Sequence, residues 1–85
     1  MNETIRQRRQ ERMTVMHSIY DLADGTCEVA VRQPFSEEVG GLTLPQIQQI
    51  ISYWISKGCL ARTMGPMLIS LTAAGIDAVE LADDA

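Results

Sequence analysis

Gln46, Gln49, Ser52, Tyr53 and Ser56 share one side of the stretch Leu42–Leu71, LTLPQIQQIISYWISKGCLARTMGPMLISL, and are the side chains here best suited to recognition at a surface. Glutamine offers a donor and an acceptor together, which suits the edge of adenine, and serine adapts to either role. Cations stand nearby or on flanking segments: Lys57, Arg62 and, at the amino end, Arg6, Arg8, Arg9 and Arg12. Such groups hold phosphate oxygens and position a protein without reading sequence. An uncharged, solvated helix face accounts for the glutamines and serines equally well. Catalysis needs a converging acid, base and nucleophile, and the chain offers little toward one. His17 is the one histidine, no serine or cysteine has a nucleophile motif around it, and Glu37-Glu38 read as helix-start charges. Gly40-Gly41 without a following Gly-Lys-Ser/Thr is no phosphate loop. Enzymatic activity is therefore not expected, and no cofactor is implied.

The elements that would position these residues follow from spacing. Leu44, Ile47, Ile50, Ile51, Trp54 and Ile55 recur three and four apart, so one helix buries them and turns the glutamines outward. Thr43 caps that helix, Pro45 sits in its first turn where a missing N–H costs nothing, and Lys57-Gly58 closes it. Cys59–Thr63 and Met67–Leu71 are short β-compatible runs broken by Gly65-Pro66, which predicts a hairpin with Met64 and Met67 near its tip. Upstream, a first helix is expected from Asn2–Thr4 to about Asp24, with Arg9, Arg12, Met13, Met16, Ile19, Tyr20 and Ala23 on one stripe and Gly25 as its stop. Cys27–Arg32 alternates, so a strand facing Cys27, Val29 and Val31 inward is expected. Pro34–Val39 predicts a short helix with Phe35 and Val39 inward, ended by Gly40-Gly41. Thr72 caps a last helix, Ala73 to about Leu81, with Ile76 and Val79 on one face, Leu81 off it, and a frayed acidic tail at 83–85.

With 85 residues the chain is expected to form one domain, residues 1–85, near the lower limit for a self-sufficient core. An apolar fraction of 46% with 21% charged residues fits a folded, non-disordered chain. No apolar run is long enough for a membrane span and no apolar stretch follows the basic start, so a cytoplasmic location is expected. Cys27 and Cys59 are too few and too far apart for a disulfide framework or a zinc ribbon; reduced structural thiols and no metal are expected. The formal net charge of −4 is unevenly spread. Arg6, Arg8, Arg9 and Arg12 outweigh Glu3 and Glu11 within the basic extension, residues 1–12, whereas Arg32, Lys57 and Arg62 face nine acids in the rest.

The helix ending in Ser56-Lys57-Gly58-Cys59-Leu60, followed by Ile69–Gly75 (ISLTAAG), resembles small bacterial winged helix-turn-helix proteins, including phage-associated ones, over residues 13 to 82. The resemblance implies a mainly α fold with a small β-hairpin, in the order α-β-α-α-β-β-α. It further implies that Pro45–Lys57 enters the major groove of double-stranded DNA while a wing, Ala61–Met67, touches its backbone. Gln46, Gln49, Ser52, Tyr53 and Ser56 would then face bases, with Lys57, Arg62, Arg6, Arg8 and Arg12 on phosphates. So few cations per copy make a homodimer nearly a requirement of DNA binding, and the overlong first helix with the apolar strip on the last one predicts such a dimer. The competing reading is an acidic protein-interaction module without nucleic-acid contact, built on Tyr53 and the adaptable methionines Met64 and Met67.

Overall fold

Periodicity sets six elements, and the computed structural model, which describes residues 2–63, 65 and 67–84, contains α1 (Asn2–Leu22), β1 (Val31–Arg32), α2 (Leu44–Ser56), β2 (Leu60–Arg62), β3 (Leu68–Leu71) and α3 (Ala73–Asp84). Met64 and Pro66, expected at the hairpin tip, and Ala85, expected in the tail, lie outside the described residues. The result is a small α+β domain in which three helices pack with a three-stranded antiparallel sheet of order β1-β3-β2. Leu60 pairs with Leu71 and Val31 with Ile69. All four are buried, so one face of the sheet is committed to the core. That core joins Val15, Met16 and Ile19 of α1, Ile47 and Ile51 of α2, and Val79 of α3. No helix among the described residues is long and apolar enough to cross a membrane.

The end of α1 departs from expectation in one detail. Its last turn is closed by Gly25 N–H donating to the Tyr20 carbonyl (3.0 Å) and Asp24 N–H to the Asp21 carbonyl (3.2 Å). This is the paired closure of a Schellman motif, and Asp24, with φ of 55°, holds its left-handed position. Gly25, also left-handed, follows one residue later.

Both ends of α2 are built from the residues expected. Thr43 Oγ1 accepts from Gln46 N–H (3.4 Å) while Gln46 Oε1 accepts from Thr43 N–H (2.8 Å), a complete capping box. At the other end, Cys59 N–H reaches the Trp54 carbonyl and Gly58 N–H the Ile55 carbonyl, with Gly58 at φ +79°. The chain then enters β2, turns, and returns through β3 to Thr72. The Thr72 hydroxyl donates to the Gly58 carbonyl and accepts from Gly75 N–H, so it caps α3 while tying it to the end of α2. A Cβ on Gly75 would lie 2.1 Å from the Cys59 carbonyl oxygen. The glycine is there because two backbones touch.

Four expectations need correction. Residues 36–41 form turns, not a helix. Glu38 N–H bonds the Phe35 carbonyl (2.9 Å) while its carboxylate folds back on Phe35 N–H (2.8 Å), giving a single turn that Gly40-Gly41 stops before a second can add hydrogen bonds. The expected strand 27–32 shrinks to Val31–Arg32, because Glu28 at φ 65° breaks the alternation and leaves Cys27 and Val29 exposed. Leu44 is 44% exposed: Leu42 and Ile47, the two positions of a hydrophobic staple around the Thr43 cap, are the buried pair instead. Phe35 is 38% exposed under the Arg32 guanidinium, whereas Val39 is fully buried. In addition, α3 runs on through Asp84, past the expected end at Leu81.

Candidate functional site

The outward side of α2 carries Gln49, Ser52 and Ser56, all exposed, as the three- and four-residue spacing predicts. Gln46 and Tyr53 stand on its flank, and that flank faces α1. Arg8, Glu11 and Arg12 of α1 and Gln46, Gln49, Ile50 and Tyr53 of α2 line one groove of about 450 Å³. Two hydrogen-bonding amides, a tyrosine and two guanidinium groups therefore share a single concave surface, with one carboxylate among them.

Arg12 is the hinge of the arrangement. Its guanidinium carbon lies 4.4 Å from the centroid of the Tyr53 ring, and its carbonyl accepts a hydrogen bond from Trp54 Nε1 (3.1 Å). Tyr53 and Trp54 meet edge to face with centroids 5.1 Å apart. Lys57 Nζ approaches the Tyr53 ring from the carboxyl end of α2, 5.7 Å from its centroid. Cations near an aromatic face are attracted by its quadrupole, by about 0.5–1 kcal/mol where solvent reaches the pair. Tyr53 thus has two cations close to its ring, and only part of its surface is open.

The other residues expected to act here are placed as follows. Gln46 gives its amide oxygen to the capping box and leaves its amide nitrogen. Arg6 is exposed on α1. Arg62 is exposed at the end of β2 and does not line the groove. Glu11 and Ile50 line the groove without having been anticipated, although Glu11 lies three residues after Arg8 and so shares its side of α1. Beside the site, burial pushes the Cys59 thiol above its ordinary pKa, against the opposing pull of Lys57. Of the other two cations, Arg9 is exposed on α1, and Arg32 stacks on Phe35 (4.1 Å) and reaches Glu38 (3.5 Å).

Compared with known proteins, the chain matches no family model, no curated protein and no solved structure.

Proposed function

We propose that the chain is a small winged-helix protein that binds double-stranded DNA as a homodimer, in the manner of a transcriptional regulator or an accessory DNA-binding factor. In this reading α2 is the reading helix and the β2–β3 hairpin the wing. The turns at 36–41 replace the first helix of a helix-turn-helix, so the reading rests on α2 and what flanks it. The observation that carries it is the shared groove: Arg8 and Arg12 stand beside Gln46, Gln49 and Tyr53, with Lys57 at the far end of the same helix. In a chain of net charge −4, this gathers cations where phosphates would run if α2 entered a groove. Gln49, Ser52 and Ser56 would meet base edges, while Arg8, Arg12 and Lys57 would hold the backbone.

Retardation of mixed-sequence duplex DNA across a salt series tests this. With Arg8, Arg12, Lys57 and Arg62 engaged, the logarithm of affinity falls against the logarithm of salt with a slope of about −4 per copy and about −7 for a pair. Arg8→Ala lowers affinity for every sequence and reduces the slope by about 1 per copy, whereas Gln49→Ala changes preference among sequences. No retardation at low salt by a chain verified as a dimer would overturn the proposal.

The outer side of the sheet favours a second reading. Leu68 pairs in register with Arg32, which stacks on Phe35, and Met67 beside them is 43% exposed. A protein-docking module would use that patch and leave the α1–α2 groove indifferent to salt and DNA.

A further inference from the structure

The amino half of α1 borders two clefts that meet at Arg12 and Tyr53. Arg8 turns toward α2 and shares its groove with Gln46 and Gln49. Arg9 shares a second cleft with Arg12, Met13, Tyr53 and Trp54 and, on α3, with Ala82. Tyr20, further down α1, donates its hydroxyl to Glu80 (2.7 Å), so the two helices run side by side in opposite directions. Ile5 lies three residues before Arg8 and four before Arg9, on the side of α1 between them and about 6 Å further along the axis than Arg9. Among the described residues nothing covers it: Ile5 is 58% exposed, and Glu3–Gln10 are exposed throughout. Leu81, next to Ala82, is 66% exposed and points away from the core side that Val79 defines, with Asp77 one turn earlier on the same side.

These are the two most exposed large apolar side chains among the described residues. They lie at the same end of the α1–α3 pair. One is set among Arg6, Arg8 and Arg9, the other beside Asp77. We propose that a second copy of this chain covers both: Ile5 seats against the partner's Leu81, and Arg9 meets the partner's Asp77 at the rim. Because both halves sit at one end of the molecule, a two-fold axis through that end makes each contact twice and closes the pair without open edges. The cations divide accordingly. Arg9 serves the pair, while Arg8, about 100° round the helix from it, lines the groove with Gln46 and Gln49. The inference rests on the two-copy part of the proposed function and gives it a surface.

Sedimentation velocity of the full chain at high micromolar concentration, read as mass, tests the pairing without DNA. The wild type is expected at twice the chain mass. Leu81→Lys places a cation opposite the arginines and removes apolar burial twice, weakening association by at least about tenfold. Arg9→Glu weakens it as well, and adding Asp77→Arg to the same chain restores it. Ile5, Arg9, Asp77 and Leu81 stand outside the core, so far-UV circular dichroism stays unchanged in every variant. A monomeric wild type, or a dimer that ignores both Leu81→Lys and Arg9→Glu, would overturn the pairing. Arg8→Ala keeps the doubled mass while DNA affinity falls, so failure of the DNA reading and failure of the pairing give different results.

Discussion

Gln46 carries two demands on one side chain. Its amide oxygen is bound to the backbone of Thr43, and only its amide nitrogen remains for a ligand. Gln49 keeps both groups, so a bidentate contact to adenine falls to Gln49, and the first polar position of the helix serves the fold before it serves recognition. The capping box was legible in the spacing of Thr43 and Gln46; its claim on the glutamine follows from the same geometry. Two other residues could not be read this way. Asp24 and Glu28 adopt left-handed conformations that glycine takes without a Cβ penalty, and neither residue type announces it. Glu28 is exposed and sits at φ 65°. Replacing it removes a penalty of about 1–2 kcal/mol, partly offset by the greater chain entropy of unfolded glycine. Glu28→Gly is therefore expected to raise stability by about 0.5–1 kcal/mol in urea denaturation, with an unchanged m-value.

Among the elements, the junction of α2, β2 and α3 is the most constrained. Thr72 caps α3 and holds the Gly58 carbonyl, while Gly75 lets the helix backbone reach the carbonyl of Cys59. Gly75→Ala forces a methyl group into that oxygen. Neither backbone can yield without moving a cap, so a loss of about 3 kcal/mol or more is expected in chemical denaturation, despite alanine's better helix propensity. The Leu71-Thr72-Ala73-Ala74-Gly75 run showed in the sequence that a helix starts after a strand, but the reason for its glycine is a contact across sixteen residues and needs coordinates. Elsewhere, long periodic segments were legible and short ones were not. α2 has a cap, a stripe and a stop within one stretch, and they agree. Pro34–Val39 has a good first position but only six residues before a glycine pair, and one turn of hydrogen bonds does not sustain a helix. The alternation at Cys27–Arg32 failed for a backbone reason, since Glu28 reverses the pattern.

For the whole molecule, what matters is how a chain of net charge −4 distributes its seven cations. The sequence located the basic segment and the polar side of α2 but could not bring them together, because nothing local to either dictates that α1 runs along the α2 flank. Tertiary packing does so: Arg12 lies over Tyr53, Trp54 holds the Arg12 carbonyl, and Arg8 follows one turn away. A surface that reads as two separate features along the chain becomes one groove in space. That packing also makes the protein its own optical probe. Trp54 is the only indole present, and its N–H is fastened to the main chain of the helix that overhangs the groove. Whatever tilts the amino end of α1 stretches that link and moves Arg12 across the neighbouring phenol. Emission from one native fluorophore should therefore change when duplex DNA is added to the unlabelled wild type, and the change should shrink in parallel with affinity in Arg8→Ala.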